Sequence, residues 1–155
     1  MLRRSWRVVA VAVVVLAVAC SGGSGGDEEA RDATDLRRSA EAGGITVEAR
    51  WLTQTDPAGL DADVSRYPPD AFVLLELSLD THEGDLSEID LETAATLRQG
   101  RAEDMPEAWV SRSDDSHHRE GVLVFPRSPG AGPVELAIAL GDEGVVLSWD
   151  AVPGT

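Results

Sequence analysis

The amino-acid sequence predicts an all-β fold. Three observations carry that expectation. From Gly44 onward the apolar residues recur with period 2 rather than 3.6. The apolar runs are short and bounded by Gly, Pro, Asp and Ser turn signals. Segments such as "GVLVF" and "GVVLSW" are rich in β-branched residues that suit a pleated, half-buried surface.

In chain order, "ITVEARWL" alternates Ile45, Val47, Ala49 and Trp51 with mostly polar neighbours. "AFVLLELSLD" places Val73, Leu75, Leu77 and Leu79 on one face, while Glu76, Ser78 and Asp80 share the other with Phe72 and Leu74. "ETAATLR" and "EAWVS" are shorter candidates. "REGVLVF" is a strand, and "PVELAIAL" aligns Val134, Leu136, Ile138 and Leu140. "GDEG" then makes a tight turn into "VVLSW", where Val145, Leu147 and Trp149 align, so the last two strands form a hairpin. "DPAGLDADVSRYPPD" is the longest irregular loop, because Pro57, Pro68 and Pro69 exclude a continued strand. About seven short strands with turns between them point to an immunoglobulin-like antiparallel β-sandwich, with an eight-stranded barrel or jelly roll as the alternative. Leu75, Leu77, Val124, Leu136, Ile138 and Trp149 are the expected core.

The N-terminus has a different character. "MLRRSWR" is basic, and Val8–Ala19 is an apolar run, much shorter than the roughly 20 residues a spanning helix needs. Residues 1–19 therefore read as a signal peptide. The run ends in "LAVAC", which resembles the bacterial lipobox, departing from it at Ala17, where Leu is commonest. The resemblance implies that Cys20 carries a diacylglyceryl group and an added acyl chain, with roughly 0.8 kcal/mol per buried methylene holding the chain on a membrane. Cys20 is the only cysteine, which excludes an intramolecular disulfide. Residues 20–43, beginning "SGGSGGDEEARD" after the cysteine, are Gly/Ser-rich and then charged, and read as a disordered tether. Residues 44–155 are the sandwich. The expected location is the bacterial cell envelope, with the domain outside the cytoplasm.

The chain carries 13 basic residues, all of them Arg, against 28 acidic ones, for a net charge of -15. Such a surface repels nucleic acid and anionic headgroups, so no nucleic-acid partner is expected; it suits solubility, or the attraction of cations or a basic partner. Catalytic signatures are absent: no G-x-S-x-G elbow, no phosphate loop ending in Lys, no H-E-x-x-H, and no EF-hand spacing. Paired acids are expected by chance among 28, so no glycosidase pair is inferred. The expectation is a protein that is not an enzyme.

The three histidines remain. His82 lies in "LDTHEGDL", after a strand, and His117 and His118 lie in "SDDSHHREGVLVF", before one. Strand ends gather at the poles of a sandwich, so the three can meet if the pair sits in a loop. Three imidazoles with an open position suit copper or zinc, and Asp80 or Asp85 can complete the shell or orient a ring. The competing reading is structural: His82 bonded to Asp80, Asp85 or Asp115, and Arg119 to Asp90 or Glu120, merely pinning loops. Asp80-Thr81-His82, Asp85-Leu86, Asp90-Leu91, Trp109, His117-His118-Arg119 and Gly121 together resemble a set of small bacterial exported domains. The resemblance covers the central third of the chain and lends no enzyme class. It departs at Ser116, where Gly is expected. Two functions follow as expectations: a membrane-tethered, non-enzymatic domain that contacts another envelope protein, or a metal-binding protein using His82, His117 and His118.

Overall fold

The computed structural model describes residues 36–56, 59–129 and 132–151. They fold as two antiparallel sheets packed face to face, the expected β-sandwich. The first sheet runs β1 (Arg37–Ala42), β2 (Ile45–Trp51), β3 (Phe72–Thr81), β7 (His118–Pro126), β6 (Ala108–Asp114) in spatial order. The second runs β5 (Ala102–Asp104), β4 (Ala95–Gln99), β8 (Val134–Leu140), β9 (Glu143–Trp149). The chain crosses between sheets after β3, β5 and β7.

This order is immunoglobulin-like. β2-β3-β7-β6 take the places of strands A-B-E-D, and β4-β8-β9 those of C-F-G, with β5 beside C as in variable-type domains. The seven strands legible in the sequence are those seven places. β1 and β5 are additions. β1 falls inside the stretch read as tether, so the sheet begins at Arg37 rather than near Gly44. Its hairpin to β2 closes through Gly43 and Gly44, at φ 58° and 74°, the left-handed pair that a two-residue turn of type I′ demands. Arg38 Nε donates to Ser148 O at 2.8 Å, and Trp149 Nε1 donates to Leu36 O at 3.1 Å, so β1 also fastens to β9 across the sandwich edge.

Between the sheets lie Val73, Leu75, Leu77 and Leu79 of β3, Leu123 and Phe125 of β7, and Leu136, Ile138, Leu147 and Trp149 of β8 and β9. Trp51 meets Trp149 edge to face at 5.6 Å. All six expected core residues are buried, but Val124 is buried on the other side of its sheet. There the loop after β2 folds over one half of the sheet's outer face, and Leu52, Val64, Leu74, Val110, Val122 and Val124 form a second, smaller core. This is why β3 reads apolar on both faces at its start and on one face at its end. The loop is tied down by charge. Glu76 takes Arg50 Nε at 2.8 Å and Arg112 Nη1 at 2.6 Å, while Asp56 pairs with Arg50 and Asp61 with Arg112. The other half of that face is open and polar, and it leads to the histidines. Among the described residues, no helix is long and apolar enough to cross a membrane.

Candidate functional site

The β3–β4 crossover and the β6–β7 turn form one pole of the sandwich, and all three histidines are there. Asp80 and His118 are cross-strand partners in the β3–β7 ladder, and Thr81 N donates to His117 O at 3.0 Å just beyond it. His118 Nδ1 lies 2.6 Å from Asp80 Oδ1, and its Nε2 lies 3.8 Å from Glu120 Oε2. The bond to Asp80, then the negative charge of Asp80 and Glu120, holds the His118 imidazolium above its ordinary pKa against some desolvation. Asp80 is held below the ordinary carboxyl value by the same bond, helped by Ser78 Oγ at 3.0 Å and by the charge of His118 and His82.

The other predicted residues have different tasks. His82 is exposed just past the end of β3. His117 is exposed in the turn before β7, its Nδ1 2.9 Å from Ser116 Oγ and its backbone N–H donating to Asp115 Oδ1 at 2.9 Å. Asp85 caps the 3₁₀ turn Leu86–Glu88, accepting from Ser87 N at 2.9 Å and from Ser87 Oγ at 2.6 Å. Those two bonds, the hydroxyl first, lower its pKa. Among the described residues, no three His, Cys, Asp or Glu side chains are arranged to hold a metal ion. The copper or zinc centre expected of His82, His117 and His118 thus has no preformed counterpart there. The pole gathers the three residues but engages them separately: His118 with Asp80, His117 with its own turn, His82 with solvent. Cys20 lies outside the described residues.

Sequence reasoning gave Arg119 a loop-pinning role but missed its burial and its partners, through which it organises the pole. Arg119 is buried, 6% exposed, on the inner face of β7. Its Nη1 donates to Leu86 O at 2.9 Å and to Ile89 O at 2.5 Å. Its Nε lies 2.6 Å from Asp114 Oδ1 as an ion pair, off the hydrogen-bond direction. Its guanidinium stands 5.8 Å from the centre of the Trp109 ring. The partners are Asp114 and two carbonyls, not Asp90 or Glu120. Gly121, two residues on and on the same face, makes room for that ring: a Cβ there would sit 2.7 Å from Trp109 Cη2 and Cζ2 and 2.4 Å from Val110 O. The signal was present in the period-2 pattern. Arg119 has the parity of Gly121, Leu123 and Phe125, so a regular strand places it inside.

Leu86 N donates to Ser116 O at 2.8 Å. Asp90 caps helix α1 (Leu91–Ala94) through Glu92 N at 3.1 Å. Thr81 is buried, its hydroxyl reaching Gly44 O at 3.2 Å and Glu83 O at 2.7 Å. Most of the motif thus satisfies the backbone of one crossover, where unpaired polar groups are costly. Chemically, the pole offers a half-exposed imidazole and a rim of carboxylates.

Comparison of the chain with protein-family models, with curated proteins and with solved structures gave no match in any of the three.

Proposed function

We propose that the chain is a bacterial lipoprotein, lipid-anchored through Cys20, whose sandwich is a non-enzymatic binding domain of the cell envelope that contacts another protein. The observation that carries this reading is the placement of the sole cysteine at the end of a basic-then-apolar leader and at the head of a Gly/Ser-rich run. The domain's chemistry supports the second half. The acids on the open sheet face pair with arginines or with His118, and Ser116 and His117 meet in an exposed turn where, among the described residues, no acid bonds the ring's other nitrogen. A sandwich of this kind presents faces and loops, the usual means of recognition. The test is Cys20→Ser in a bacterial host, followed by membrane fractionation and mass spectrometry of the N-terminal peptide. The wild type should partition with membranes and carry the acyl mass on Cys20, and the variant should lose both. Unchanged partition together with an unmodified cysteine in the wild type overturns the anchor.

A further inference from the structure

We propose that the hollow beside the β3–β4 crossover, together with the outer face of the four-stranded sheet that continues from it, docks a protein segment carrying arginine or lysine beside aliphatic side chains. The proposal rests on the binding role above but not on lipidation of Cys20. The hollow is open to solvent and has a volume of about 500 Å³. Ile45, Ile89 and Leu140 contribute its apolar lining, and Asp85, Glu88 and Asp90 its acidic wall; among the described residues no Arg, Lys or His lines it.

Ala139 belongs both to the hollow and to the sheet. From there one row of the outer face carries small or apolar side chains. The ladders align Thr96 with Ala137 and Ala137 with Val146, and Met105 lies against Thr96, with its Sδ 3.9 Å from Thr96 Oγ1. The large hydrophobic side chains that stand well exposed among the described residues are Met105, at 50%, and Val146, at 60%. They mark the two ends of this one row, which crosses β4, β8 and β9, with Met105 just past the end of β5. Singly exposed apolar residues are ordinary, but two bracketing a row of small side chains make a continuous patch.

Charge decides the occupant. Arg98, on the next row of the same face, is bonded by Glu103 at 3.2 Å and Glu135 at 2.9 Å. The hollow's wall is acidic and the whole chain carries -15. A second copy meets like charge; a basic segment meets its complement, which speeds encounter and fixes register. The wall is also preformed. Asp85 and Asp90 are held as caps, and Arg119 grips Leu86 O and Ile89 O from beneath. Little ordering cost then falls on this side of the interface.

The test uses the ¹⁵N-labelled full chain in detergent micelles, titrated with a short peptide of arginine, valine and leucine. Two controls run beside it, one of arginine and serine and one of glutamate, valine and leucine. The first peptide should shift the amides of Glu88, Ile89, Ala139 and Val146, and the controls should not saturate. Glu88→Arg and Val146→Asp, both at exposed positions, should each weaken binding by about tenfold, an effect worth about 1.4 kcal/mol, with spectra otherwise unchanged. Equal binding of the arginine–serine peptide overturns the proposal, as does wild-type affinity in both variants. So does reproduction of the shifts by calcium chloride alone, or by raising the protein concentration without peptide, which would assign the patch to a cation or a second copy. Peptide shifts confined to the outer face of the five-stranded sheet overturn this surface but leave the binding role standing.

Discussion

Replacing Arg119 by Met keeps an apolar stem in place and removes the guanidinium. Leu86 O and Ile89 O then lose a charged donor, and a buried acceptor left unpaired costs about 1–3 kcal/mol. The ion pair with Asp114 adds little, because that carboxylate is 55% exposed and such pairs are worth about 0–1 kcal/mol. Two gains offset the loss: a cation no longer has to be desolvated, and the thioether packs favourably against Trp109. The net expectation is a destabilisation of about 2–4 kcal/mol, a large part of the roughly 5–15 kcal/mol of a typical domain. Urea denaturation measures it directly. The loss should also be local, with backbone amides of residues 86–94 exchanging faster while β8 and β9 keep their protection. Arg119→Lys retains the charge but not the planar fork that reaches two carbonyls, so it should fall between the two. A loss under about 0.5 kcal/mol for Arg119→Met, well short of the cost of one unpaired carbonyl, or loosening spread evenly over both sheets, would refute the idea that this side chain braces the crossover.

Gly121→Ala should destabilise by about 1–3 kcal/mol, because its Cβ meets Val110 O and the Trp109 ring; thermal melts check this, and a neutral or stabilising result would show that Trp109 can move aside. The Asp80–His118 pair should make stability depend on pH. The raised His118 value contributes stability that is complete below about pH 6.5 and is lost as pH rises through the folded value. The lowered Asp80 value contributes stability that is present above about pH 3.9 and is lost as pH falls through its folded value. The difference in stability between wild type and Asp80→Asn should therefore be greatest between these limits and shrink as pH rises through the folded His118 value, staying under about 1 kcal/mol because both side chains are about half exposed; a difference independent of pH would count against the pair. Copper or zinc should leave the melting temperature unchanged, since no metal set is preformed among the described residues; a rise worth about 2.7 kcal/mol at 100 times the dissociation constant, lost in His82→Ala, would instead establish a three-histidine centre that assembles on binding.

Strands whose apolar residues alternate were legible in the sequence because burial on one face imposes period 2. β2, β3, β7, β8 and β9 all write their packing into their side chains. β1 does not. "RRSAEA" buries little, and what holds it is remote: the Gly43-Gly44 turn, Arg38 on Ser148 O, and the indole of Trp149 on Leu36 O. Next to a Gly/Ser-rich run, the glycine pair looked like more linker. β5 has only three residues, too few for a period to show. "ETAATLR" was read as one strand, but its start forms a helical turn because Asp90 caps it. Two-sided burial was half legible: Phe72 and Leu74 were seen to share the polar face, but nothing local says that a loop beginning at Leu52 lies over them.

The histidines drew notice as rare residues with versatile chemistry, but rarity is a property of composition and says nothing of geometry. Parity was the better guide. In "SHHREGVLVF" it sends His118 and Glu120 outward and Arg119 and Gly121 inward, and burial follows that division. The inward pair then explains the distant parts of the motif. Arg119 needs carbonyl acceptors, which Leu86 and Ile89 supply only if the crossover is held in a tight path. Asp85 and Asp90 hold that path by capping its two short helical turns. Trp109 needs the space that Gly121 leaves. A metal that recruited Asp85 would draw it from its cap, at a cost of about 0.5–2 kcal/mol, and one that recruited Asp80 would break its bond to His118. The arrangement that makes the pole rigid therefore works against a metal centre. It leaves a wall of carboxylates beside an apolar hollow, the charge complement of the basic segment proposed above.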